Sequence, residues 1–109
     1  MNKTKRSRLE ARGWRVGSAK DFLGLSPEEA ALVATRLALS QALRSRRVAR
    51  GLTQGELARR LRSSQSRVAK MEAGDKTVSV DLLVKALFSL GAKPRDVGRA
   101  LQRSLQTVA

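Results

Sequence analysis

Gln65, Ser66, Arg67 and Lys70 are the residues whose types and spacing suggest chemistry. They bring amide, hydroxyl, guanidinium and ammonium groups into one short stretch, all hydrogen-bond donors, with no acid among them. Such a face does not break bonds; it reads or holds a polyanion. A glutamine amide pairs bidentately with adenine, lysine suits guanine, serine suits either, and arginine grips phosphate. The rest of the chain excludes the common enzyme classes. It has no His and no Cys, so the usual zinc sets, Ser-His-Asp triads and thiolate nucleophiles cannot be assembled. Each acid stands near a helix cap or a basic partner, and Gly13 and Gly17 have the wrong spacing for a phosphate loop. The chain is read as a non-enzyme without catalytic residue, metal or cofactor.

Charge names the partner. The 109 residues hold 23 Lys and Arg against 9 Asp and Glu, a net +14 with pI near 11.8. So basic a small chain repels itself and seeks a polyanion. Nucleic acid is the first candidate, and an acidic membrane surface the second. No run approaches the length of a membrane span, and the N-terminus lacks the apolar stretch of a signal peptide. Without cysteines there is no disulfide framework and nothing suggests export.

The elements that must position these groups lie between Thr53 and Gly74. Thr53 can cap a short helix, with Glu56 completing a Thr-x-x-Glu capping box. Leu57, Ala58 and Leu61 fall on one face of it. Arg62-Ser63-Ser64 then breaks the helix, and Ser64 is a cap for a second. There Val68 and Met71 turn inward and Gly74 supplies the stop. Ala58 is small, as two closely crossing helices require. Seen from Val68 and Met71, Ser66 and Lys70 point outward, with Gln65 and Arg67 on the flanks.

Gln54, Leu57, Ala58, Leu61, Val68, Met71, Glu72 and Gly74 together resemble the helix-turn-helix of the lambdoid phage repressor and Cro type, the XRE family. The resemblance covers roughly Leu39 to Leu90. It implies that Ser64, Gln65, Ser66 and Lys70 face bases, and that Gln54 touches phosphate while bracing the recognition helix. Arg62, Arg67 and Lys76 would hold phosphates as well. It further implies an ion pair between Arg47 and Glu72, tying the first helix to the end of the recognition helix. One departure stands out: the family usually has Gly at the left-handed position of the turn, where this chain has Arg62.

The rest of the chain frames this motif. Residues 1–25 form a basic arm in which Lys3, Lys5, Arg6, Arg8, Arg12, Arg15 and Lys20 face the single acid Glu10 before residue 21. The arm either stays in solvent or tracks DNA, and Trp14, Val16, Phe22 and Leu23 could hook it onto apolar surface. Ser26-Pro27-Glu28-Glu29 starts a helix that runs without a breaker to Arg50. Its first half extends beyond the minimal family domain, and Leu32, Val33 and Leu37 there need a partner surface. Ser79 caps a fourth helix, expected to be buried through Leu82, Leu83, Ala86, Leu87, Phe88 and Leu90. Pro94 opens a fifth, whose stripe of Val97, Leu101, Leu105 and Val108 is core or a dimer seam, with the seam preferred.

The expected fold is therefore all-α: a compact lambda-repressor-like domain of about five helices over residues 26–109, with a long N-terminal helix and the basic arm. The resemblance implies a cytoplasmic repressor that binds a palindromic operator in double-stranded DNA as a homodimer. Size and layout also resemble HigA-type antitoxins, which would add a protein toxin as partner. A stand-alone or phage-type regulator, or a charge-driven non-specific nucleic-acid binder, is the alternative.

Overall fold

A computed structural model describes residues 24–108, with side chains placed as far as residue 103. The expectations for the basic arm and for Trp14 lie outside the described residues. Five helices follow one another: α1 (Pro27–Ala49), α2 (Gln54–Leu61), α3 (Gln65–Ala73), α4 (Val80–Ser89) and α5 (Pro94–Val108). The described residues are all-α, as expected.

The first four helices start where a side chain can satisfy orphan amides. The Ser26 hydroxyl accepts from the Glu29 amide at 3.1 Å, and the Glu29 carboxylate accepts from the Ser26 amide at 2.8 Å. Thr53 and Glu56 repeat this reciprocal box on α2, at 3.0 and 2.8 Å. Ser64 and Ser79 cap α3 and α4 through single bonds of 3.1 Å. Losing such a cap typically costs about 1 kcal/mol.

α1 is the spine. It packs against α3, α4 and α5, while α2 packs against α3 and α4. The core is aliphatic: Leu39 and Leu43 of α1 meet Leu57 of α2, Val68 and Met71 of α3, and Leu83, Leu87 and Leu90 at α4, all essentially without solvent contact. Full burial of each such side chain contributes about 1.5–3 kcal/mol. Ala58, buried at the α2–α3 crossing, lets the two short helices approach.

Three details go beyond or differ from expectation. Phe88 is not buried; it remains 43% exposed, because five residues from Leu83 rotates it by about 140° from the core-facing line of α4. Val97 and Leu101 pack against the domain's own core, so this half of the proposed dimer stripe already has a partner. The side chains of Leu105 and Val108 lie outside the described residues. Finally, Arg50 caps α1 instead of continuing it, and the helix ends at Ala49. No helix of the described residues is long and apolar enough to cross a membrane.

Candidate nucleic-acid interface

α3 exposes the residues the sequence singles out. Gln65, Ser66, Arg67 and Lys70 are all solvent-exposed, while Val68 and Met71, on the opposite side, are sealed in the core. Nine residues are too few to hold a helix in isolation. This one persists because its apolar side is buried and its ends are fastened.

The fastening is a clamp centred on Glu72. Arg47 of α1 donates to both carboxylate oxygens, Nε at 2.6 Å and Nη2 at 3.1 Å. Its Nη1 donates to the Leu52 carbonyl at 2.7 Å, and Gln54 Nε2 donates to Glu72 Oε1 at 3.1 Å. The Arg47 and Glu72 side chains are only 12% and 4% exposed. One carboxylate thereby ties α1, the α1–α2 loop and the start of α2 to the last turn of α3. The hydrogen bonds to Glu72, helped by its charge, raise the Arg47 pKa further against the opposing effect of burial. Desolvation offsets much of such a pair's attraction, so its value lies in orientation.

The turn between α2 and α3 is made by Arg62 in the left-handed conformation, φ 56° and ψ 47°. The Ser63 amide reaches back to the Ala58 carbonyl at 2.8 Å, closing a Schellman-type end. Arg62 itself is exposed. Ser64 follows, its hydroxyl oxygen engaged by the Arg67 amide while the residue stays exposed. Residues 65–70 thus issue from a rigid, capped corner.

A family model described as Helix-turn-helix matches residues 43–95, where the structure has a helix-turn-helix with a buried inner face, a donor-rich outer face and a charged clamp across its back. The region is an XRE-family helix-turn-helix. The XRE match runs from the second half of α1 to the first residues of α5 and supports a DNA-binding regulator of that type. No curated protein and no solved structure matches the chain significantly.

Of the residues expected at the XRE interface, Gln65, Ser66, Arg67, Lys70, Arg62 and Ser64 cluster on α3 and its preceding turn. Gln54 is half-buried at the start of α2, engaged with Glu72. Lys76 is exposed in the connector between α3 and α4. That connector is ordered by Asp75, which accepts from the Thr77 hydroxyl at 2.6 Å and the Thr77 amide at 2.8 Å. These bonds, with Lys70 and Lys76 nearby, hold the Asp75 carboxyl below its usual range.

Two cations escaped sequence reasoning. Arg60 of α2 and Lys85 of α4 join Arg62 and Arg67 around an open groove of about 410 Å³, floored by Leu61, Met71, Leu82 and Ala86. No local pattern announces this grouping, because it draws on three helices. A basic count alone, with the outward positions of α2 and α4 on a helical wheel, was the available signal.

Proposed function

We propose that the protein is a sequence-specific transcriptional repressor that binds a near-palindromic operator as a homodimer. The observation that supports this most is the two-sidedness of α3: donors exposed along its outer face, with its inner face and its last turn fixed from behind. A helix so held can enter a major groove with its N-terminal residues against base edges. Gln65, Ser66 and Lys70 would read bases. Arg62, Arg67, Lys76, and by their place around the groove Arg60 and Lys85, would hold phosphates and set register. Occupying promoter DNA suffices for repression.

The test is selection of bound sequences from a random pool, followed by titration of the variants. Gln65→Ala is expected to cost about 1–3 kcal/mol on the selected site and little on random DNA, whereas Arg67→Ala weakens both alike. Equal losses on both DNAs from both variants would remove the assignment. Because Val97 and Leu101 already serve the core, Leu105→Glu is the cleaner probe of a C-terminal dimer seam. Sedimentation should then give a folded monomer with weakened operator binding. An antitoxin role would use the exposed start of α1, where Leu32 is 47% exposed and precedes the matched region. Co-purification with the product of the neighbouring gene, and its loss in Leu32→Glu, would support it.

A further inference from the structure

α1 starts at Pro27, well before residue 43, where the family match begins. The intervening turns amount to about 24 Å of helix at about 1.5 Å per residue. A basic helix could spend this length in solvent, but two of its side chains are committed elsewhere. Arg36 Nε donates to the Val78 carbonyl at 3.1 Å, a partly buried bond between residues far apart in the chain. One residue on, Leu37 lies over Gly74: a Cβ at Gly74 would sit 2.6 Å from Leu37 Cδ2. Gly74 and Val78 bracket the α3–α4 connector. The extension therefore holds it at both ends, through a left-handed glycine that ends α3 and a buried valine just before the Ser79 cap of α4.

Between these two points stands Lys76, exposed, beside the internal bonds of Asp75 to Thr77. Without Arg36 the connector keeps the bonds of Asp75 to Thr77 but loses the guanidinium that the Val78 carbonyl accepts from, which loosens the Val78 amide bond to the Asp75 carbonyl. The backbone of a short surface segment so released gains freedom, and a phosphate contact made from it must then first order it. The clamp at Glu72 does not substitute, since it acts on the opposite side of Gly74 and holds α3, not the connector.

We infer that the N-terminal half of α1 is a positioning element for DNA binding: through Arg36 and Leu37 it holds the Gly74–Ser79 connector, and with it Lys76, in the shape presented to the phosphate backbone. The inference rests on the interface proposed above. Arg36 touches no DNA in this arrangement; it acts through Val78.

Arg36→Met removes the bond and the charge but keeps the aliphatic stem. Arg44→Met, on the exposed side of the same helix, removes an equal charge away from the connector and serves as control. DNA titrations over a range of salt should show Lys76→Ala lowering the slope of log K on log salt by about 0.9. Arg36→Met should weaken binding at least about threefold more than Arg44→Met, and Lys76→Ala added to it should bring little further loss, because the two act on one contact. In the free protein, amide hydrogen exchange at Val78 should speed by about tenfold in Arg36→Met. Additive losses, or an unchanged exchange rate, would overturn the inference. A Lys76→Ala variant that binds like wild type would instead remove Lys76 from the interface and count against that reading; the exchange rate then judges the hold on the connector separately. If Arg36→Met does not fold, Arg36→Lys, which keeps the charge but lacks the planar Nε donor, carries the same test.

Discussion

The two ends of the helix-turn-helix solve one backbone problem in opposite ways. α2 and α3 both finish with a residue in the left-handed conformation, Arg62 at φ 56° and Gly74 at φ 72°. In both, the following amide reaches back to a carbonyl inside the helix, Ser63 to Ala58 at 2.8 Å and Asp75 to Lys70 at 3.1 Å. The backbones are near copies, yet one carries the largest basic side chain and the other none. What lies above the Cα decides. Over Gly74 sits the end of the Leu37 side chain, which would have to shift to admit a methyl group. Over Arg62 there is solvent and the open groove shared with Arg60, Arg67 and Lys85. A left-handed non-glycine residue costs about 1 kcal/mol or more, and here it places a cation beside the proposed phosphate path. A helix end facing inward is chosen for fit, and one facing solvent, along the proposed phosphate path, for charge.

The sharpest way to break this comparison is Gly74→Ala. The added methyl group meets the φ penalty and displaces the end of Leu37, and a loss of about 1–2 kcal/mol is expected in denaturant unfolding. Adding Leu37→Ala should recover part of the loss relative to Leu37→Ala alone. A Gly74→Ala protein as stable as wild type would show that nothing rigid lies over the turn.

Arg62→Gly should act in the other direction and more weakly. Relief of the left-handed strain should raise stability by up to about 1 kcal/mol, while removal of the guanidinium lowers affinity for operator and random DNA alike. Thermal unfolding and DNA titration on one preparation read both effects. A variant both more stable and unimpaired on DNA would leave the arginine without a role at the interface.

The smallest expected difference is in acid. The α3–α4 connector contains Asp75, whose pKa is lowered first by the Thr77 hydroxyl and then by the Thr77 amide; the Arg62–Ser64 turn contains no carboxylate. A folded pKa below the unfolded value of about 3.9 means that the contribution of Asp75 is complete above that value. It is lost as pH falls through the lower, folded value. Amide exchange at Thr77, corrected for its intrinsic pH dependence, should therefore show protection fading below about pH 4 while Ser63 holds. Parallel loss at the two turns would point to global unfolding instead.

What was legible in the sequence was whatever depends on near neighbours along the chain. The Ser26–Glu29 and Thr53–Glu56 boxes, the Ser64 and Ser79 caps, and the inward pair Val68 and Met71 all follow from spacings of three or four residues. The Arg47–Glu72 pairing followed from resemblance, since nothing local joins two charges 25 residues apart. What stayed hidden depended on which face meets which. Phe88 counted as core by composition until the rotation of α4 turned it out. The stripe on α5 showed its regularity but not its partner, and half of it proved to rest on the domain itself. Arg36 looked like one more surface cation, because the carbonyl it serves belongs to a loop that folds back only in three dimensions.

The aliphatic core has an optical consequence. The chain has no Tyr, one Trp at position 14 and Phe at 22 and 88. The five-helix region from Pro27 onward therefore contains a single aromatic ring, Phe88, and that ring faces outward. Tryptophan emission reports the surroundings of Trp14 alone, since no residue from Pro27 onward is a tryptophan, whereas far-ultraviolet dichroism watches chiefly the helices. One sample thus reports two regions in separate wavelength channels without any label. An emission change on adding DNA, with the dichroism constant, would belong to the surroundings of Trp14 alone.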